Sequence, residues 1–211
     1  MASEKTQDDS TVAGGPPESR AASSAAWRAA TAPPFRVLVV CIGNVCRSPL
    51  GERLLRAALP GERFVVESAG VNGLEGLGMS PEAAVELVAL GGDASGFVAR
   101  RLTEQMVRDA DLVLAATGEI RSRVLGETPS ALRRAFTVRE FAALLDEVDP
   151  AVDGSAEELR ALVARAAAAR SRVRLEDPDI PDPYRRPAEA HALAARLMAA
   201  AVDRIAKGLD R

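Results

Sequence analysis

Four short apolar runs along the chain predict the strands of a buried sheet. They lie at residues 36–41 (RVLVVC), 63–68 (RFVVES), 111–116 (DLVLAA) and 135–138 (AFTV). Each run is rich in β-branched or large apolar residues, which favour strands. Because their apolar positions are nearly continuous rather than alternating, the runs are typical of parallel strands covered on both faces.

Helical patterns separate these runs and follow the last of them. Ser48-Pro49 and Ser80-Pro81 each predict a helix start, because Ser is a good N-cap and Pro is favoured in the first turn. The other predicted helix starts and helical stretches are Thr103, Thr117, residues 139 to about 174 and residues 188–209. The alternation predicts an α/β fold: a three-layer α/β/α arrangement with a four-stranded parallel sheet.

The first 34 residues have a different composition from the rest of the chain. They are rich in Ala, Ser, Gly and Pro, and Trp27 is their one aromatic residue. Such a segment cannot bury enough apolar surface to offset the entropy of ordering it. We expect residues 1–34 to be a disordered tail, or a docking segment anchored by Trp27, and residues 35–211 to form one folded domain.

Charge and cysteine content exclude several function classes. The chain has 27 basic and 30 acidic residues, so it lacks the strong basic field expected of a nucleic-acid-binding protein. No apolar run approaches the roughly 20 residues needed to cross a bilayer. Two cysteines and one histidine predict neither a disulfide framework nor a metal site, and they favour a reducing, cytoplasmic setting.

The chemically informative segment is VCIGNVCRSP at residues 40–49, between the first predicted strand and the first helix. A strand-to-helix junction of this kind binds anions, because backbone N–H groups and the positive helix end face the loop. Gly43 and Asn44 tolerate left-handed conformations, which lets the loop curl. The loop residues predicted to cradle a phosphate or similar oxyanion are Ile42, Gly43, Asn44, Val45 and Cys46.

Cys41, Arg47 and Ser48 add reactive chemistry to this loop. Arg47 carries a permanent charge in a planar fork that matches two phosphate oxygens. Cys41 lies at the base of the cradle, where the same positive field favours its thiolate form, and Ser48 can donate a hydrogen bond to the sulfur. A thiolate below a bound phosphate is the arrangement needed for in-line attack on phosphorus.

This loop resembles that of the low-molecular-weight protein tyrosine phosphatases, V-C-(L/I)-G-N-x-C-R-S-P, at every fixed position. A second match is Ile180-Pro181-Asp182-Pro183-Tyr184, similar to the family's D-P-Y segment. The resemblance implies that the enzyme hydrolyses phosphotyrosine through a phosphocysteine on Cys41, with no cofactor. It also implies Asp182 as general acid and base, Tyr184 as one wall of the pocket, and a phosphotyrosine-containing protein, such as a tyrosine kinase, as partner.

Asp177 and Asp179 compete with Asp182 for the acid, but neither stands immediately before Pro-Tyr. The resemblance also implies that Cys46 can form a reversible disulfide with Cys41. His191 is expected to be a surface or half-buried helix residue.

Residues from about 147 to 176 make the region before Asp182 longer than is typical of the family. We expect them to form an extra helical segment, either packed on the domain or acting as a lid or partner-binding element.

Several positions depart from the family pattern. In the family, a Ser and a His help to hold the loop Asn; Ser68 keeps the first, but Phe97 replaces the His, which predicts an incomplete network around Asn44. The loop that normally carries an aromatic wall offers Leu74, Leu77 and Met79 instead. Arg185 and Arg186 follow Tyr184, which predicts a cationic rim and a preference for acidic sequences.

Three alternative functions compete with phosphotyrosine hydrolysis, and the sequence argues against the second of them most strongly. A protein-arginine phosphatase of the same fold would carry Thr where this chain has Val45, so phosphotyrosine is favoured. A thioredoxin-coupled arsenate reductase needs further cysteines after Cys46, and the sequence has none. A catalytically weak, anion-binding regulatory module is disfavoured because Cys41, Arg47 and Asp182 are all present.

Overall fold

The computed structural model describes Met1, residues 33–151 and residues 153–210. Residues Pro33–Arg211 form one compact unit. The tail predicted at residues 1–34, with Trp27 in it, lies outside the described residues except for Met1, Pro33 and Pro34.

The predicted parallel sheet is confirmed. Its strands are β1 (Phe35–Cys41), β2 (Phe64–Gly70), β3 (Leu112–Ala115) and β4 (Ala135–Thr137), in the order β2-β1-β3-β4. All three neighbouring pairs are parallel. The observed strands agree with the predicted runs to within two residues at each end.

Seven α-helices connect and cover these strands in the described residues. They are α1 (Arg47–Ala58), α2 (Pro81–Ala89), α3 (Glu104–Asp109), α4 (Gly118–Glu127), α5 (Val138–Leu144), α6 (Ala156–Ala168) and α7 (Ala188–Leu209). Short 3-10 turns lie at Pro129–Ala131, Leu145–Glu147 and Arg170–Arg172. None of the described helices is both long enough and apolar enough to cross a membrane.

Side chains of β1 alternate between two apolar layers, as the strand period requires. Phe35, Val37 and Val39 belong to the larger core, which also contains residues of α1, α5, α6 and α7. Leu38 and Val40 belong to the smaller core together with residues of α3 and α4. The sheet is therefore the middle layer of the predicted α/β/α arrangement.

Three of the four predicted N-cap residues lie at the starts of helices. Ser80, Thr103 and Thr117 are N-caps, and each side-chain oxygen accepts a hydrogen bond from a backbone N–H in the first turn. The predicted cap at Ser48 is wrong, because α1 begins at Arg47 with Cys46 as its N-cap, two residues earlier than a cap at Ser48 requires. The Ser48 hydroxyl lies against the Cys41 sulfur instead.

The segment from about 147 to 176 contains α6, and this helix packs on the domain. Its apolar side chains Leu159, Leu162, Val163 and Ala166 are buried in the larger core. Their spacing places them along one helix face, which α6 directs inward. Residue 152 lies outside the described residues.

The expectation for His191 is wrong. His191 lies in the first turn of α7 and is 3% exposed, so it is buried rather than at the surface. Its Nδ1 has no hydrogen-bond partner within the described residues. The Ala-rich sequence around it concealed this, because small neighbours allow α7 to approach the domain closely.

Candidate active site

The candidate active site lies where β1 ends. The chain leaves β1 for β2 on one side and later returns to β3 on the other side. In open parallel sheets, such a switch point leaves a crevice beyond the carboxyl ends of the strands. The loop 41–46 lies in this crevice and leads directly into α1.

The loop turns its carbonyl groups outward. Three of them accept hydrogen bonds from the neighbouring segment: Asn72 N to Ile42 O at 2.9 Å, Leu74 N to Gly43 O at 2.9 Å, and Ser80 N to Val45 O at 2.8 Å. Because a peptide unit is planar and trans, the N–H after each carbonyl points to the opposite, inner side. The Asn44 N–H demonstrates this, since it points at the Cys41 sulfur at 3.2 Å.

Asn44 provides the left-handed bend of the loop, with a φ of 57°. Its side chain is fully buried and every polar atom of the amide is bonded. Nδ2 donates to Ser48 Oγ and to Ser68 Oγ, both at 2.8 Å, and Oδ1 accepts the Arg100 N–H at 2.9 Å. These bonds compensate the cost of a left-handed non-glycine residue.

Gly43 does not share that conformation, so the expectation that both residues curl the loop holds for Asn44 alone. A different glycine is sterically required beside the loop. A Cβ on Gly70 would lie 2.4 Å from Ile42 O and 2.9 Å from Asn44 N, distances that real Cβ atoms do not tolerate. Gly70, at the end of β2, therefore lets the second strand pass directly behind the loop.

The expectation of an incomplete network around Asn44 is wrong. Glu52 of α1, 6% exposed, accepts the Ser68 hydroxyl at Oε2 with a distance of 2.6 Å. Ser68 in turn accepts from Asn44, and the second Glu52 oxygen accepts from Arg56 at 2.9 Å. Phe97 is buried and packs in a small apolar cluster with Val45 and Cys46. A carboxylate from α1 thus satisfies the serine.

This network directs a proton donor toward Cys41. The Ser48 oxygen accepts from Asn44, and its hydroxyl hydrogen has two acceptors in reach, the Cys41 sulfur at 2.9 Å and the Ala69 carbonyl at 3.4 Å; the shorter contact favours donation to the sulfur. Together with the Asn44 N–H, the sulfur faces two donors in a buried position. Donors directed at a sulfur stabilise its anionic form, and a hydrogen-bonded chain strengthens each of its members.

Arg47 connects the loop to the distant D-P-Y segment. Its Nη2 lies 2.9 Å from Asp182 Oδ2, and its Nη1 donates to the Ile180 carbonyl at 3.0 Å. The guanidinium is 3% exposed and its Nε, also buried, has no partner within the described residues. Nε is therefore a donor available to an oxyanion held by the loop.

A cavity of about 190 Å³ brings the predicted residues together. Its lining residues are Cys41, Ile42, Gly43, Val45, Cys46, Arg47, Asn72, Leu74, Asp182 and Tyr184. Asn44, Ser48 and Ser68 lie behind this lining and support it. Of the three aliphatic candidates for the missing aromatic wall, Leu74 lines the cavity, whereas Leu77 and Met79 do not.

Cys46 differs sharply from Cys41 in its surroundings. Burial raises the pKa of the Cys46 thiol to about 11, and the neighbouring Cys41 and Asp182 add to the rise, while a hydrogen bond with Ser80 partly offsets it. Cys46 is therefore a neutral thiol at physiological pH. Both cysteines are free.

Sequence reasoning missed Glu52, Arg100 and Asn72. Glu52 lies in the helix after the loop, where a carboxylate is ordinarily a solvated surface group. One signal was available, because Glu52 is one turn beyond Ser48 and so shares its helix face. Arg100 and Asn72 act through contacts between segments distant in sequence. Within the described residues, no cluster of His, Cys, Asp and Glu could hold a metal ion.

A buried thiol below inward N–H groups, with a buried arginine in the cavity wall and an aspartate at the mouth, is the arrangement of a cysteine-dependent phosphatase site. Residues 36–172 match the family described as low molecular weight phosphotyrosine protein phosphatase. The chain belongs to this family. The match ends before Asp182, so that residue is supported by the local sequence and its contact with Arg47.

Named relatives and solved structures agree with this membership. The low molecular weight protein-tyrosine-phosphatase Etp of Escherichia coli K12 is 32% identical over 83% of this chain and 95% of its own length. Wzb of Escherichia coli K30, solved with sulphate, has a TM-score of 0.63 at 26% identity, over 82% of this chain and 97% of its own. The YwlE arginine phosphatase of Geobacillus stearothermophilus also has a TM-score of 0.63, at 29% identity, over 84% of this chain and 94% of its own.

Replacing Glu52 by Gln tests the network behind the loop. We expect alkylation of Cys41 by iodoacetamide near pH 6.5 to slow by about tenfold. The substitution removes a charge-assisted hydrogen bond, and the new amide N–H can donate to the Ser68 oxygen, which reverses the direction of the hydrogen bond between these two side chains. The measurement follows modification at Cys41 by mass spectrometry in folded protein. The matched change Glu62→Gln, at an exposed position before β2, should leave the rate unchanged. Equal rates for both variants would contradict the role of Glu52.

The raised pKa of Cys46 predicts a second alkylation profile. In a Cys41→Ser background, the rate at Cys46 should rise with pH toward a midpoint above the ordinary value, because burial, the largest cause of the raised pKa, remains after the charge of Cys41 is removed. Peptide mapping after short exposures between pH 7 and 11.5 measures this rate. A midpoint at or below the ordinary value of 9.0 would refute the prediction.

Proposed function

We propose that this protein is a protein-tyrosine phosphatase that transfers a phosphoryl group from phosphotyrosine to Cys41 and then to water. The observation that carries this proposal is the convergence of Cys41, Arg47 and Asp182 on one cavity, although Asp182 lies far from the loop in sequence. The relatives named as tyrosine phosphatases, such as Etp, support the same substrate class.

The first step forms a bond between sulfur and phosphorus. The Cys41 thiolate attacks phosphorus in line, and the bond from phosphorus to the phenolic oxygen breaks. Asp182, protonated, gives its proton to that oxygen, so tyrosine leaves as the neutral phenol. The products are an unphosphorylated tyrosine side chain in the substrate protein and a phosphocysteine on Cys41.

The second step regenerates the enzyme. Asp182, now a carboxylate, takes a proton from a water molecule as its oxygen attacks phosphorus. The bond from sulfur to phosphorus breaks and the electron pair returns to Cys41 as thiolate, which the Ser48 hydroxyl and the Asn44 N–H stabilise. Inorganic phosphate leaves.

Arg47 has the geometry to bind the transferred group through both steps. Its Nε is free for a phosphoryl oxygen, while Ile180 and Asp182 hold its two Nη atoms. The inner N–H groups of the loop add further donors. Preorganised donors of this kind stabilise the charge that develops on the equatorial oxygens in the transition state.

Val45 favours phosphotyrosine over phosphoarginine. Its apolar side chain lines the cavity beside Cys46, so at this position the wall offers apolar contact to an aryl ring but no hydrogen-bond acceptor to a guanidinium. The similarity to YwlE and to Wzb is equal in TM-score, so the fold does not separate the two substrates. The substrate protein, with a tyrosine kinase as one candidate, would be met in the reducing cytoplasm, where both thiols stay free.

The rim of the cavity supports a preference for acidic sequences. Tyr184 is partly exposed at the mouth, and the Arg185 guanidinium stacks over its ring at 5.2 Å. Arg185 and Arg186 are both exposed there. Exposed positive charges beside the mouth attract acidic residues that flank the phosphotyrosine.

Phosphate release from a phosphotyrosine peptide tests the proposed function. We expect turnover by the wild type, loss of turnover in Cys41→Ser, and a fall of roughly 10²–10⁴-fold in Asp182→Asn, the range for loss of a general acid. Asp177→Asn, in the same segment, is the control and should keep its activity. Val45→Thr should raise activity on a phosphoarginine peptide relative to phosphotyrosine.

Each failure would have a distinct meaning. Absence of wild-type turnover on phosphotyrosine would contradict the proposal, and a preference for phosphoarginine would reassign the substrate. Full activity of Cys41→Ser would overturn the phosphocysteine mechanism.

The cationic rim predicts a salt-sensitive preference. At low salt, kcat/KM should be roughly two- to tenfold higher for acidic than for basic phosphotyrosine peptides, the size of one or two exposed ion pairs. Arg185→Gln with Arg186→Gln should remove the difference, and Arg172→Gln, on a separate 3-10 turn, should not. Identical ratios at 20 mM and 500 mM salt would argue against electrostatic recognition.

A further inference from the structure

The proposed acid, Asp182, lies on a segment without regular structure. Residues 173–187 connect the 3-10 turn at Arg170–Arg172 to α7 and contain neither helix nor strand. The Asp182 side chain is 43% exposed, and its two oxygens contact the Arg47 guanidinium at 2.9 Å and the Tyr184 N–H at 3.3 Å, so polar contacts rather than close packing hold the carboxyl. A general acid must nevertheless stay within hydrogen-bond reach of the leaving oxygen, because small displacements are costly.

Asp179, three residues before the acid, binds the first backbone N–H of a helix. Its Oδ1 accepts the backbone N–H of Gly118 at 2.7 Å, and Gly118 is the first residue of α4. That N–H has no partner inside the helix, and the helix end attracts a negative charge. Thr117 bonds the Ile120 N–H in the same turn, so Asp179 and Thr117 satisfy different groups.

The residue after Asp179 extends the attachment to the active site. The Ile180 N–H donates to the carbonyl of Ala116, just beyond β3, at 2.8 Å. Its carbonyl accepts from Arg47 at 3.0 Å, and its side chain is fully buried. One short stretch is therefore bound to α4, to the end of β3 and to the guanidinium that also contacts Asp182.

We propose that Asp179 is a positioning residue for Asp182, holding the acid segment against the N-terminus of α4 so that the carboxyl reaches the leaving oxygen. The proposal rests on the proposed function, which makes Asp182 the acid. Asp179 does not line the cavity and touches no reacting atom. Its removal should impair those steps that need a proton delivered and spare those that do not.

Leaving-group dependence separates this role from general damage to the fold. A phenolate as basic as that of phenyl phosphate needs protonation, whereas 2,4-dinitrophenolate leaves without it. kcat/KM reports the transfer to Cys41 for both substrates. For Asp179→Ala, we expect kcat/KM on phenyl phosphate to fall by at least about tenfold, with less than about threefold change on 2,4-dinitrophenyl phosphate.

The comparison uses three further variants of the full chain. Asp182→Asn is the positive control and should show the largest selective loss on phenyl phosphate. Glu176→Gln, an exposed carboxylate of the same segment, should show none. Asp179→Asn keeps an oxygen that can accept from Gly118 and should recover part of the loss. Thermal unfolding of each variant establishes that it is folded at the assay temperature.

The outcomes distinguish this inference from the proposed function. A selective loss in both Asp182→Asn and Asp179→Ala supports positioning. A selective loss in Asp182→Asn alone would overturn the role of Asp179 and leave the acid assignment intact. Equal losses on both substrates in folded Asp179→Ala would also overturn it, because they would indicate general damage. If Asp182→Asn itself shows no selective loss on phenyl phosphate, the assignment of Asp182 as the acid is wrong, and the proposed role of Asp179 is wrong with it.

Discussion

The buried amide of Asn44 is the interaction on which the rest of the site depends. It holds a non-glycine residue in a left-handed conformation, and that conformation turns the following peptides so that their N–H groups face inward. The amide bonds Ser48, Ser68 and the backbone of Arg100, and so connects α1, β2 and the segment after α2. Without these bonds, nothing would compensate the cost of the left-handed conformation of Asn44 when no anion is bound.

Electrostatic balance follows from the same arrangement. Around the sulfur, the loop concentrates N–H donors, a buried guanidinium and the Ser48 hydroxyl, whose oxygen accepts from Asn44 and whose shortest contact with an acceptor is to the sulfur. Glu52 supplies the compensating negative charge from behind, through Ser68, without facing the cavity. On the cavity side the buried Arg47 guanidinium has Asp182 as its counter-charge, and on the supporting side Glu52 is shared between Ser68 and Arg56. The inward N–H groups are the donors left to stabilise a bound oxyanion.

The fold was largely predictable from the local sequence. Unbroken apolar runs are needed wherever a strand is covered on both faces, so β1 to β4 were recognisable without tertiary information. The caps at Ser80, Thr103 and Thr117 act within one helical turn and were equally readable. Ser48 was not, since the same residue type can cap a helix or bond a nearby sulfur, and only the position of Cys41 decides between the two.

By itself, the sequence determined the loop chemistry, because residues 41–48 act within one strand-to-helix junction whose order along the chain is also their order in space. The family resemblance implied Asp182 and Tyr184, and only the tertiary structure decided which other distant groups complete the site. Glu52 bonds Ser68 and helps to complete a network that the sequence predicted to be incomplete, and His191 is buried. Arg47 contacts Ile180 and Asp182 across more than 130 residues of chain. Such contacts depend on how α1, α4 and the segment before α7 pack around the sheet, and no local pattern encodes that packing.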